Sequence, residues 1–245
     1  MTSSTVRKWG LRLGAPIAVL AALVVAGPFI YIHFVKADAP PAFSLPAITA
    51  TTVAATATTD STTTGATTVA ASDLDGTWNV ASGSQAGYRV KEVLFGQDTE
   101  AVGRTSDVSG QITISGTTVQ SGAITVKLAT VKSDESRRDA QFTGRIMNTA
   151  TYPTATFSLT KPITLATLPA NGVVTKVDAT GNLTLKGTTK AVTASLSAQR
   201  SGDAIQVQGS IPITFADWGI DNPSMAGISV GDTGTIEFLV NFAQL

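Results

Sequence analysis

Beyond Asp73 the chain alternates apolar and polar residues over stretch after stretch. Ile205, Val207, Ile211, Ile213 and Phe215 form one apolar row, and Ile236, Phe238, Val240 and Phe242 form another. A period of two places successive side chains on opposite faces of a strand, so each row faces one interior. The pattern predicts strands over residues 77–81, 87–95, 108–115, 118–131, 154–161, 173–185, 191–200, 204–215 and 235–242. Gly-containing turns such as Ser115-Gly116, Asn171-Gly172 and Ser201-Gly202-Asp203 fall between several of them. One stretch breaks the pattern: residues 133–142 begin with cap-type residues and continue with helix-compatible ones, which predicts a short helix over 135–145. Many antiparallel strands, one helix and no internal repeat predict a mainly β domain over residues 73–245, an antiparallel barrel that is closed or nearly so.

The N-terminal third has a different texture. Residues 13–35 (LGAPIAVLAALVVAGPFIYIHFV) carry no acidic or basic residue apart from His33. As a helix they would measure about 34 Å, enough to cross a hydrocarbon core of about 30 Å. Arg7, Lys8 and Arg12 precede this run, whereas Lys36 and Asp38 follow it. The positive-inside bias therefore puts residues 1–12 in the cytoplasm and the barrel outside the cell membrane, as in a single-pass bacterial envelope protein. A cleaved signal peptide is the rival, because Ala37-Asp38-Ala39 has the A-x-A form; the length of the apolar run and the following Pro40 favour a retained anchor. Residues 36–72 are rich in Pro, Thr, Ala and Ser, without helix or strand pattern, and read as a disordered linker. As a flexible coil it would span about 30–36 Å between its ends.

Composition narrows the function classes. Net charge is formally zero, which gives no footprint for nucleic acid. Cysteine is absent, which removes disulfides, thiolate metal sites and thiol nucleophiles. The single histidine, His33, lies in the expected anchor, so none in the barrel is available to activate a serine or threonine. Asp217, Asp221 and Asp232 match no metal-loop spacing and read as solvated loop acids. No catalytic residue, metal ligand or cofactor emerges, and the reading is a binding protein rather than an enzyme.

The apolar interior is then the candidate functional surface. Its rows hold many Ile, Val and Leu but few large aromatics, which leaves room for a narrow channel instead of a filled core. Tyr88, Val90, Ile112, Ile114, Ile124, Val126 and Leu128 are expected to line it. Phe157, Leu159, Leu183, Val192, Leu196, Ile213, Phe215, Ile236, Phe238 and Val240 are expected to do the same, with Phe142 and Met147 closing one end. Glu92 shares a face with Tyr88 and Val90, and a carboxylate there needs a partner or water. Either it sits at a wet mouth and meets a ligand's head group, or a bulge or a structural ion pair accommodates it. Arg137, Arg138 and Asp139 read as a polar network beside the helix.

Four segments carry a resemblance. Gly181-Asn182-Leu183-Thr184-Leu185-Lys186-Gly187-Thr188-Thr189-Lys190 resembles the G-x-L-T-x-x-G-x-T-(K/R) hairpin of the YceI-like family. Tyr152-Pro153 with Phe157 is similar to that family's Y-P-x-x-x-F, and Ser133 with Arg138-Asp139 to its strand-to-helix segment. Asp217-Trp218-Gly219-Ile220 is similar to its late D-F-G-I loop, which adds Trp218 to the expected ligand-binding residues. Thr188 replaces a frequent Val, and no histidine follows Arg138-Asp139 or Val90. The resemblance implies an extended antiparallel, lipocalin-like β-barrel around a long isoprenoid chain, such as a polyprenyl or quinone tail. The expected protein is thus a membrane-tethered isoprenoid-lipid binder; the alternative is an envelope stress or interaction protein whose filled barrel binds a protein partner. Whether two barrels pair as a homodimer stays open.

Overall fold

The computed structural model describes residues 38–47 and 74–244. In chain order the strands are β1 (Gly76–Val80), β2 (Gln85–Leu94), β3 (Gln97–Thr105), β4 (Val108–Ser115), β5 (Thr118–Lys127) and β6 (Thr154–Leu159). There follow β7 (Ile163–Thr164), β8 (Thr175–Leu185), β9 (Thr188–Ser201), β10 (Ala204–Thr214), β11 (Ile228–Val230) and β12 (Thr233–Ala243). Helix α1 (Ser136–Gln141) runs on into a wider turn over Phe142–Ile146. The expected membrane segment (13–35) and most of the expected linker (48–72) lie outside the described residues. Among the described residues no helix is long and apolar enough to cross a membrane.

Eight strands close into an antiparallel barrel in the order β1-β4-β5-β6-β8-β9-β10-β12, and the β1–β12 pairs Asn79↔Ala243 and Val80↔Phe242 complete the ring. Closure removes unpaired edges from the longest strands. β1 covers only one end of β12; the other half, Thr235 to Leu239, pairs with β2. The break between β1 and β2 is pinned by Ser84, whose hydroxyl donates to the Ala81 carbonyl and accepts from Asn241 N–H. At the β2 end the wall continues into β3, and Arg104 of β3 bridges to Lys132. Leu128 N–H in turn reaches the Pro153 carbonyl, so the segment leading into α1 spans the gap between β3 and β6. The upper end of the barrel lies at the β4–β5 and β9–β10 turns. Its lower end is built from the β2–β3 and β8–β9 turns, α1 and the long β10–β12 connection.

The elements differ from the sequence reading in several places: the short strands β7 and β11 were not expected, and the strand expected over 118–131 ends at Lys127 and passes into a 3₁₀ turn over Leu128–Thr130. β3 was not expected: its inward positions are Thr99, Ala101, Gly103 and Thr105, too small and polar to write an apolar row. Phe215 ends the β10 row but begins a 3₁₀ turn, Phe215–Trp218, that folds inward over the barrel's lower wall.

Residues 38–47 fall in the stretch expected to be a disordered linker, yet they lie as a strap on the barrel's outer face. The Pro40 carbonyl accepts from Arg89 at 2.6 Å, the Pro41 carbonyl from Arg104 at 2.5 Å, and the Pro46 carbonyl from Gln199 at 2.9 Å. The Arg104 guanidinium also stacks over the Phe43 ring, 3.9 Å from its centre. Beneath the strap Glu237 bridges both arginines, with Arg89 Nε at 3.0 Å and Arg104 Nη2 at 2.6 Å. Burial works against the Arg89 charge, but hydrogen bonds to Glu237 and Glu100 outweigh it and hold the guanidinium above its ordinary value.

Candidate functional site

The inner wall explains how a barrel containing aromatic side chains stays open. Several inward rows include a glycine beside a ring. A Cβ on Gly103 would come within 2.4 Å of the Tyr88 ring, and one on Gly181 within 2.3 Å of Phe157. A Cβ on Gly209 would meet Phe238 at 2.5 Å and Leu196 at 2.6 Å, and one on Gly234 would meet Phe215 at 2.9 Å. Cross-strand side chains on one face stand only about 5 Å apart. A missing Cβ lets the neighbouring ring lie against the wall instead of standing into the lumen. The glycines thus act as recesses.

What remains open is two chambers stacked along the barrel, each of about 230 Å³. They share Ala86, Val126, Ala155 and Ile236, which form a waist. The upper chamber is lined by Ile112, Ile114, Ile124, Phe157, Leu159, Leu183, Leu196, Phe238 and Val240 among the residues expected from sequence. Tyr88, Val90, Leu128, Phe142, Met147, Ile213 and Phe215 line the lower one, and Val126 and Ile236 touch both.

Two expected lining residues are placed elsewhere. Val192 keeps its inward parity but packs against the core cluster at the lower wall and reaches neither chamber. Trp218 is 4% exposed and packs in the same cluster, because the turn carrying it folds back on the wall. Residues the sequence reading did not assign close the two ends. Leu165, Leu168 and Pro169 come from the long β6–β8 connection at the upper end; Ile220, Pro223 and Met225 come from the β10–β12 connection at the lower end. These connections carry no period, so nothing in their pattern marked them.

The lower chamber is the polar one. β2 pairs with β3 in unbroken register from Ala86 to Leu94, so no bulge turns Glu92 outward. Its carboxylate is 5% exposed, lies 3.0 Å from Arg138 Nη2 and accepts from the Thr99 hydroxyl at 3.1 Å. Arg138 also pairs with Asp134 one helical turn earlier. Asp139 turns the other way and accepts from Ser133 N–H and hydroxyl, both at 2.8 Å, which fixes the helix start. Tyr88 stacks on Phe142 with ring centres 5.1 Å apart. The lumen thus has an upper chamber with almost no polar surface and a lower one with an ion pair and a phenol in its wall.

Burial pushes the Tyr88 phenol up from 10.0 to about 12, partly offset by the nearby Arg138 charge. Because the folded value lies above the unfolded one, this group's contribution to stability is complete below pH 10 and is lost as pH rises through about 12. The expected result is roughly 2 kcal/mol less stability at the alkaline limit, a loss that Tyr88→Phe should reduce. Denaturant melts between pH 9 and pH 12 check this, and a Tyr88→Phe profile identical to that of the parent chain counts against it.

A family model described as the YceI-like domain matches residues 78–242. Among solved structures, a polyisoprenoid binding domain from Saccharophagus degradans, implicated in plant cell wall breakdown, is 22% identical with a TM-score of 0.55. The alignment covers 69% of this chain and 98% of that one. BcnA from Burkholderia cenocepacia is 21% identical with a TM-score of 0.50, over 64% of this chain and 95% of that one. No curated protein matches.

Proposed function

We propose that this chain, which belongs to the YceI-like domain family, is a membrane-tethered extracytoplasmic protein that holds a long isoprenoid lipid of polyprenyl or quinone type in its barrel. The observation that carries the reading is the graded lumen: two apolar chambers in line, with the polar groups gathered at one end. That arrangement suits an amphiphile whose tail is long, thin and branched and whose head stays near Arg138 and Tyr88. The name of the Saccharophagus relative, a polyisoprenoid binding domain, points the same way. The apolar run at residues 13–35 supports the tether, and the bias of Arg7, Lys8 and Arg12 supports the orientation.

Energetics favour holding a lipid near its source. From water, each buried CH₂ contributes about 0.8 kcal/mol, so an isoprene unit contributes several. From a bilayer the same transfer gains little, because lipid tails are already apolar. Affinity then rests on shape, on head-group contacts and on the local concentration that a tether supplies. Native mass spectrometry of the full chain, extracted gently from lipid-replete cells, tests the reading. The expected result is a discrete lipid mass on the protein. A barrel with no added mass supports instead a protein that presents its loops to a protein partner.

A further inference from the structure

The lower end of the barrel carries an exposed apolar tip. Phe95, at the β2–β3 turn, is 59% exposed, and Val93 and Met225 beside it are 37% and 40% exposed. Phe95 also sits at φ 47° and is followed by Gly96 at φ 82°, a turn whose first position favours Asn, Asp or Gly. A bulky ring is therefore carried on a left-handed backbone; one side of it packs on Gly227 while more than half of the residue stays exposed, and a small polar residue would avoid both the strain and the exposure. Its N–H donates to the Gly227 carbonyl at 2.7 Å, which stitches the turn to the loop carrying Met225 and Ile228. Both of those residues line the lower chamber, so the tip adjoins its lower end.

The strap leads toward the same place. Followed toward the N-terminus, its carbonyls meet Arg104, then Arg89, and Asp38 and Ala39 share a shallow depression with Lys91, Val93 and Asp98, just above the turn. Only Lys36 and Ala37 lie between Asp38 and the apolar run, a reach of about 10 Å even when extended.

We propose that the Phe95 tip inserts into the bilayer surface and, with the short connection at Asp38, holds this end of the lower chamber against the membrane, where a lipid passes between bilayer and barrel without crossing water. The proposal rests on the membrane-tethered reading above. The partner is the lipid surface itself, because the strap brings the chain's membrane-directed end to this tip.

The chain has no cysteine, so single cysteines report cleanly. Full-length Val93→Cys and Ser115→Cys, the second at the opposite end, are labelled with an environment-sensitive fluorophore. They are then reconstituted into equimolar phosphatidylcholine–phosphatidylglycerol vesicles containing doxyl lipids. The expected result is a blue shift and several-fold stronger quenching for the label at Val93→Cys, with the label at Ser115→Cys remaining in water. Adding Phe95→Asn should abolish most of that quenching while suiting the turn better, so loss of fold does not confuse the outcome. Equal, weak quenching at both sites overturns the proposal, as does a blue shift without doxyl quenching, which marks contact between two copies. Alkaline carbonate extraction of the same vesicles keeps the two readings apart. Protein that resists extraction with its tip in water leaves the tether standing and the insertion wrong. Protein that washes out although its tip was quenched leaves the insertion standing and the tether wrong.

Discussion

Gly209→Val is expected to lower the lipid content of the barrel about tenfold or more while leaving the barrel folded. Gly209 faces inward on β10, directly opposite Phe238 on β12, and a Cβ there meets the Phe238 ring at 2.5 Å and Leu196 at 2.6 Å. Both obstacles are the far ends of side chains that line the upper chamber, so each has somewhere to go: into the lumen. Overpacking of this kind costs about 1–3 kcal/mol. A β-branched residue in a strand centre returns up to about 1 kcal/mol against glycine, so net destabilisation should be small. The chamber loses the room of roughly one isoprene unit, several CH₂ groups at about 0.8 kcal/mol each when the tail comes from water. Native mass spectrometry reads the occupancy and thermal melting reads the fold. Thr193→Val, an exposed position on β9, is the control, with occupancy unchanged. If Gly209→Val carries as much lipid as the parent chain, the tail does not run past Phe238 and the upper chamber is not its site.

The glycine recesses show where the sequence was legible and where it was not. Period-two rows identify strands and inward faces because pleating is a property of one strand. The same parity placed Glu92 inside, where the structure puts it. Whether a row fills or frames the lumen depends on what stands opposite each residue, and that is a property of register. Gly103 looks like a weak spot in a polar stretch until Tyr88 is laid over it; in the sequence that stretch hid β3 altogether. The partner of Glu92 was hidden for the same reason, since Arg138 arrives from a helix far along the chain. Residues 38–47 read as linker because prolines carry no period. The strap is held chiefly through backbone carbonyls, which every sequence supplies and none advertises.

Arg138→Ala is expected to destabilise the barrel by about 3 kcal/mol, the lower end of the range for breaking a buried ion pair, because the arginine keeps some contact with water. That corresponds to a fall in Tm of roughly 6–12 °C for a domain of this size. The cost arises on the other side of the pair: Glu92, 5% exposed on an inward face, loses the Arg138 guanidinium, and Asp134 loses the same partner. Replacing both members, Glu92→Leu with Arg138→Met, removes the buried charge as well as its counterion and should recover most of the loss. The four-member cycle in denaturant melts then gives a coupling of more than about 1 kcal/mol. The double variant also separates structure from binding. Its barrel should melt near the parent temperature, yet the lower chamber has lost the Glu92–Arg138 pair from its wall. If the pair holds a lipid's head group, occupancy falls although stability does not. If occupancy is unchanged, Glu92 and Arg138 serve only to tie α1 to β2, and selection of the lipid rests on the shape of the two chambers.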